Sequence, residues 1–414
     1  MFALFKKNRN FRALAIFFIL HGIGAGMFGM IMMWIIHAMY QNPVYTGIAG
    51  FLFAVPFVTS FIVGPLVDRW RKTAVLRTAC FVQFCVVAVA LAAQLVYWPG
   101  VWLFFVMILA FSLASLFFRP AQTAILPRIV DGEDLVKANA FINIVGVLAG
   151  TVVFVGTFSM MRDGNADNAL LYAVMATAFG LALIFSIFLR CDEESATQEN
   201  EIGVVKMYLR ELTAGFVYAK QGVFMVLLFA GVFQAFFADV AGVNVPMFAE
   251  YHFGSASGYI ILAGLTMFGG MIGSIFARMV DTRFSLGHML IVGTMLAGVL
   301  RILFVFAITN ETLHGVLMHL MYVGVGSMVG IFHRAIVQKL PPKNLVGRVD
   351  TMFTTLGASA GALGALAGGF LGARLYSVDA VFFIHGAVYI ILGLGLLCNK
   401  KVRALPALKD LGSS

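Results

Sequence analysis

Five ionisable side chains interrupt the long apolar runs of this chain, and their chemistry is what such surroundings alter most: Asp239, Arg301, His21, His319 and His385. A charge inside an apolar run is expensive to bury, so each is by default a candidate for proton transfer or ligand binding. Asp239 is the one acid deep in such a run. A carboxyl that alternates between paired anion and neutral acid exchanges a proton, and Arg301 is its expected partner. A purely structural ion pair between Asp239 and Arg301 is the competing expectation. Gln234, on the same run as Asp239, joins them as a polar candidate for coupling or ligand contact. The histidines are scattered without metal-ligand spacing, so neither a metal nor another cofactor is expected.

A second cluster lies between two apolar runs, in the stretch GPLVDRWRKTAVLR at 64–77. Asp68 ends a helix there, where an anion opposes the negative end of the helix dipole unless cations stand close. Arg69, Arg71 and Lys72 supply them, and Arg119 is a further expected partner. Such a charge latch can hold one packing of helices and release it in another. The plain alternative is a basic anchor at a membrane surface.

The elements that carry these residues follow from composition. Of 414 residues 61% are hydrophobic and 11% charged, and the mean hydropathy is +0.96. No single water-soluble core could hide so much apolar surface, whereas a bilayer needs about 20 apolar residues per spanning helix. The chain therefore reads as an all-α integral membrane protein embedded in a lipid bilayer. Its net charge of +9 comes without interleaved basic and aromatic residues, so no nucleic-acid partner is expected. Cys80, Cys85, Cys191 and Cys398 show neither metal nor disulfide spacing and read as packing residues. The first apolar run follows Lys6, Lys7, Arg9 and Arg12, but it is too long for a signal peptide and reads as a spanning helix.

Length and charged punctuation give twelve spans, at 13–37, 45–67, 74–97, 101–125, 140–161, 168–189, 222–249, 258–280, 286–308, 315–338, 351–375 and 380–398. All but three of the 28 Lys and Arg residues then fall at one face of the membrane, the exceptions being Arg162, Arg374 and Arg301. That bias places both termini in the cytoplasm of a multi-pass protein in a bacterial plasma or inner membrane. The expected domains are a six-helix bundle at 1–189, a cytoplasmic linker at 190–221, a second six-helix bundle at 222–398 and a tail at 399–414. Within the linker, Val205, Leu209, Leu212 and Phe216 share one helical face, which suits either a helix lying on the membrane surface or an ordinary tether.

The halves repeat. FRPAQTAILPRIVDGEDLVKANAF at 118–141 matches FHRAIVQKLPPKNLVGRVDTMF at 332–353, aligning Ala121 with Ala335, Leu126 with Leu340 and Pro127 with Pro341. Arg119 then aligns with His333. Two six-helix halves repeated in parallel outline a carrier that rocks about a central site. Helix eleven carries Gly357, Gly361, Gly364, Gly368 and Gly372, and helix five Gly146 and Gly150, at steps that let helices approach closely.

Gly64, Leu66, Asp68, Arg69, Lys72 and Leu76 resemble the loop signature that the major facilitator superfamily carries after its second helix. The later stretch LPRIVDGEDLVKANAF is similar to the branch with macrolide-efflux proteins, enterobactin exporters and lysophospholipid transporters. The resemblance implies two pseudo-symmetric six-helix bundles, a gating role for Gly64, Asp68, Arg69, Arg71, Lys72 and Arg119, and a cavity lined by helices one, four, seven and ten. Those helices offer Met30, Met33, Phe233 and Phe237, adaptable or aromatic faces that suit an amphipathic molecule. The expectation is a monomeric secondary-active exporter of small amphipathic organic compounds, coupled to protons. A lysophospholipid transporter or flippase is the alternative, and a non-transporting receptor or assembly partner is the alternative of another class. No nucleophile–base pairing or phosphate loop suggests an enzyme.

If Asp68 holds the latch, Asp68→Asn is expected to express and fold normally yet lose transport, measured as flux in proteoliposomes. Full flux in the well-folded variant rejects the latch.

Overall fold

The computed structural model describes the chain except residues 1–4, 6–7, 61–62, 64–65, 68–69, 97–99, 131–133, 162–167, 190–212, 214, 221, 281–283, 343–344, 376, 408–409 and 411–414. Among the described residues every regular element is a helix. That follows from the solvent, because in lipid a backbone N–H or C=O must find its partner inside the segment. Among the described residues eleven helices are long and apolar enough to cross a membrane, a twelfth, Pro43–Val58, is apolar and shorter, and two more, Val245–Phe253 and Lys400–Arg403, are shorter still.

In chain order they are α1 (Arg9–Tyr40), α2 (Pro43–Val58), α3 (Lys72–Val96), α4 (Val101–Ile129), α5 (Leu135–Met161), α6 (Asn168–Ile187), α7 (Phe224–Gly242), α8 (Val245–Phe253), α9 (Ala256–Val280), α10 (Leu286–Asn310), α11 (Thr312–Lys339), α12 (Val346–Arg374), α13 (Val378–Cys398) and the short α14 (Lys400–Arg403). Side chains mark several starts. Asn8 Oδ1 accepts from the Phe11 amide at 2.9 Å while its Nδ2 donates to the Ile129 carbonyl, which ties α1 to the end of α4. Ser285 and Ser377 accept from backbone amides at the starts of α10 and α13.

One expected span is divided. Residues 222–249 form α7 and α8 with a turn at Val243 and Asn244, rather than one helix. Asn244 is fully buried, and its Nδ2 donates to the carbonyls of Val240 and Gly368, each at 2.9 Å. Pro246, which has no N–H to lose, opens the new helix, and Gly254 closes it at a φ of 63°. Hydropathy does not register such a break, because one asparagine between the apolar stretches VAGV and VPMF leaves the window average apolar. The expected surface helix of the linker falls largely outside the described residues, Val205, Leu209 and Leu212 included; Phe216 is described and exposed.

The chain forms two compact units, residues 1–39 with 59–205 and residues 40–58 with 206–414. In the first, α3 packs against α4 and α6. Its core is aromatic: Phe28 stacks on Phe111 at 3.9 Å between ring centroids, and Gly24 leaves room for the Phe179 ring. The outer face of α5 exposes Ile144, Val147, Leu148, Val152 and Val155, as a lipid-facing helix should. Gly146 lies on this open face and packs against nothing, so its expected role in close packing is not met.

In the second unit α12 lies against both α7 and α2, while α10 packs between α11 and α13. Short helix α8 is tied down by polar contacts, His252 Nε2 to Asp379 Oδ1 at 2.7 Å and Gln41 Nε2 to Glu250 Oε1 at 3.2 Å. The glycines of α12 explain its double contact. On one face Gly361 meets the Asp239 carboxylate, Gly364 the Phe236 carbonyl and Gly368 the Val240 carbonyl, all from α7. On the other, Gly369 faces Gly47 of α2 backbone to backbone, and Gly372 faces Asn244 and Pro43. Gly357, by contrast, looks onto open space.

A Cβ at Gly364 would collide with the Phe236 backbone, which cannot swing aside as a side chain could. Gly364→Val is therefore expected to lower the unfolding temperature in detergent by about 5 °C or more. Gly357→Ala should leave it unchanged or raise it by about 1 °C. An unaltered Gly364→Val protein shows that α7 and α12 are not held at backbone contact.

Candidate functional site

Helices α7, α11 and α12 of the second unit enclose a pocket of about 240 Å³. Its polar wall is Gln234, His333, Arg334, Asp350 and Thr354, and its apolar wall is Leu228, Val232, Val337 and Phe353. Gly231, Gly330 and Gly357 line it too, and the missing side chains leave its volume free. His333 Nε2 lies 3.2 Å from the Leu227 carbonyl, which as a pure acceptor fixes the proton on Nε2 and leaves Nδ1 as an acceptor. The Phe353 ring packs beside this imidazole at 5.3 Å. Gln234 Nε2 donates to Thr294 Oγ1 at 3.3 Å, which orients its amide. Among the described residues neither Arg334 nor Asp350 forms an ion pair. A free cation, a free carboxylate and two oriented polar groups beside an apolar wall are suited to a dipolar head joined to an apolar body.

Arg334, Asp350 and Thr354 are absent from the sequence-derived candidates. Arg334 stands near the end of the expected span 315–338 and Asp350 just before 351–375, and since α12 already begins at Val346 both charges stand on helices and face a pocket. The alignment of Arg119 with His333 pointed one residue away from Arg334.

Among the coupling candidates of the second unit, Arg301 and His385 lie in one cluster, and Asp239 reaches it through Tyr389 rather than by a direct ion pair. Asp239 is exposed on α7 with its carboxylate against Gly361, and it makes no ion pair with Arg301. The expected Asp239–Arg301 pair is thus corrected. Arg301 is only 3% exposed and lies among α10, α11 and α13. Its guanidinium sits 4.4 Å from the Phe382 ring centroid, 4.6 Å from Tyr322 and 5.4 Å from Phe304, and Nη1 donates to His319 Nδ1 at 3.1 Å. Aromatic faces and a histidine occupy the place where a carboxylate was expected. His385 is buried beside Tyr322 and Tyr389.

His21 belongs to the first unit and is a packed core residue. Its ring stacks on Phe118 at 3.7 Å, and Nε2 hydrogen-bonds the buried Gln83 Oε1 at 2.7 Å. Gln83 donates onward to Ser115, and Ser115 to the Phe111 carbonyl.

Of the gating candidates, Gly64, Asp68 and Arg69 lie outside the described residues. Arg71 and Arg119 are exposed. Lys72 is 2% exposed, and its ammonium donates to the carbonyls of Val67 and Trp70, each at 3.0 Å. Arg77 donates to the Ser186 carbonyl at 2.7 Å and the Leu189 carbonyl at 3.0 Å, which satisfies acceptors at the C-terminal end of α6. Met30, Met33 and Phe237 are half-buried and Phe233 is exposed; none lines the polar pocket. A separate apolar groove of about 570 Å³ runs between α3 and α4, with Trp70, Thr78, Leu113 and Phe117 along it. Among the described residues no cluster of three or more His, Cys, Asp or Glu could hold a metal ion.

The Major Facilitator Superfamily model matches residues 14–365. No curated protein sequence matches the chain. Solved structures share the fold across nearly the whole chain. The nucleoside transporter NupG is 12% identical, covers 94% of this chain and 98% of its own, and superposes with a TM-score of 0.71. A D-xylose–proton symporter is 13% identical over 97% and 98%, at 0.66, and the peptide transporter POT in complex with sulfate is 14% identical over 96% of each chain, at 0.70. The chain belongs to the major facilitator superfamily. It is a multi-pass membrane transporter of small molecules and not an enzyme.

Proposed function

We propose that this transporter is a monomeric secondary-active exporter of amphipathic organic compounds, working by alternating access and driven by proton entry. The pocket carries the reading: Arg334 and Asp350, which form no ion pair among the described residues, can hold the charged or dipolar head of a substrate while Phe353, Val337 and Leu228 take its apolar body. A macrolide or siderophore-like compound has that division, in keeping with the branch to which the stretch at 126–141 is similar. Nucleosides, xylose and peptides are what the NupG, D-xylose and POT neighbours are named for, and at such low identity they bear on fold alone. The Lys and Arg bias supports cytoplasmic termini in a bacterial inner membrane. In this reading Gly64, Asp68, Arg69, Arg71, Lys72 and Arg119 act at the gate, and residues 1–189 and 222–398 act as the two functional halves. Asp239, which forms no ion pair among the described residues, is the proton carrier, and the Met30, Met33, Phe233 and Phe237 faces add apolar contact along the path.

A lipid substrate is the second reading, favoured by the apolar groove between α3 and α4. It predicts movement of labelled lysophospholipid with no dependence on a pH gradient.

Counterflow in proteoliposomes with labelled macrolides, siderophores and lysophospholipids separates the two. For the transported compound, Arg334→Gln or Asp350→Asn should raise KM at least about tenfold, the cost of one lost charged hydrogen bond. Asp239→Asn should keep counterflow while abolishing accumulation driven by an imposed pH gradient. Unchanged KM in both pocket variants removes the pocket from substrate binding. Gradient-driven accumulation that survives in Asp239→Asn removes Asp239 from coupling.

A further inference from the structure

The Arg301 cluster carries a charge that neither the pocket nor Asp239 uses. Among the described residues no carboxylate contacts Arg301; its surroundings are His319 and Tyr322 from α11, Phe304 from its own helix, and Phe382, His385 and Tyr389 from α13. Asp239 of α7 acts electrostatically on Tyr389, and the backbone of α9 approaches His319 at Leu262. Aromatic faces return part of the solvation a guanidinium loses, yet a cation with no counter-charge is expensive in so dry a place.

Hydrogen bonding shows the same deficit. Three buried nitrogens in this one cluster have no partner, Arg301 Nε and both Nδ1 and Nε2 of His385, while His319 Nε2 is directed to the Leu262 carbonyl of α9. Buried polar atoms are paired as a rule, and a group of orphans in one place marks a bound water or ion. Their chemistry decides between these. Arg301 Nε can only donate. Because His319 Nδ1 accepts from Arg301, the proton of its neutral ring sits on Nε2 and is directed to the Leu262 carbonyl, so His319 orients the guanidinium. Neutral His385 adds a second open donor on one of its nitrogens. Water could satisfy donors, but it leaves the positive charge unbalanced.

We propose that Arg301, His319 and His385 form a buried site for a small monovalent anion of the halide class. The surrounding phenyl and phenol rings suit a compact, weakly hydrated ion and disfavour a doubly charged oxyanion. Counting about 1.5 Å per residue, the three side chains lie about 10–14 Å from the Asn310, Thr312 and Val378 ends of their helices, all at the same side. Bound there, the anion joins α10, α11 and α13 and stabilises the second unit.

The probe is bromide, titrated into the purified full-length protein in detergent at constant ionic strength with gluconate as the replacement anion. A ligand that binds only the folded state raises the unfolding temperature in a saturable way. The wild type should gain about 3 °C or more across the titration, and Arg301→Gln should gain nothing. A flat wild-type response, as a cluster filled by water alone would give, overturns the site. An equal rise in Arg301→Gln does so too, because it reports a general salt effect. If Arg301→Gln does not fold, His385→Phe decides: it keeps the packing volume and removes two orphan nitrogens. A bromide midpoint at least about threefold higher supports the site, and a wild-type midpoint overturns it.

Discussion

The backbone contact between α7 and α12 is the constraint on which the second unit depends. Lipid tails are as apolar as leucine, so helices in a bilayer gain nothing by hiding apolar side chains from it and must associate through close packing and polar contacts. Gly361, Gly364 and Gly368 let α12 come against the carbonyls of α7, and on its far side Gly369 meets Gly47 of α2. The amide of Asn244 locks the upper part of this contact by bridging Val240 and Gly368. Where the glycines continue but the contact ends, at Gly357, space opens into the polar pocket. The same stripe of small residues thus closes one part of the helix pair and leaves the other part hollow.

Charge is handled in three ways along the chain. Lys72 donates to the carbonyls of Val67 and Trp70, and Arg77 to carbonyls at the C-terminal end of α6, where a cation satisfies orphan acceptors and opposes the helix dipole at once. Arg334 and Asp350 stay unpaired at a pocket wall, where a pre-formed ion pair would have to be broken before any ligand could use it. Arg301 is enclosed by rings with no acid at hand. The first use is structural, the second is ready for ligand, and the third calls for a compensating anion.

Hydropathy and charge bias made the membrane fold and the twelve apolar segments legible, because the bilayer imposes length and composition directly. The break at Asn244 was hidden: a buried amide that replaces backbone hydrogen bonds leaves no trace in an apolar window. The pairing of Asp239 with Arg301 followed from the rule that opposite charges in lipid find each other, but cation–π contacts gave Arg301 an alternative set of neighbours on α11 and α13. His21 carried the type of a proton carrier and turned out to be a core residue held by Gln83 and Phe118. The polar pocket was missed for a geometric reason. Arg334 lies at the inner end of the expected span 315–338 and Asp350 one residue before 351–375, so both read as membrane-surface charges, and only the packing of α7, α11 and α12 turns them toward one pocket.

The account stands or falls on whether the pocket of α7, α11 and α12 is occupied by the transported molecule. The most direct measurement is protection of a single cysteine placed in its wall, Thr354→Cys in a background whose four native cysteines are replaced, against a membrane-permeant maleimide. Substrate at about ten times its KM should slow labelling at this position by about tenfold, because the fraction of empty sites falls as 1/(1 + [L]/Kd). Labelling that proceeds at the same rate while transport is saturated contradicts the account.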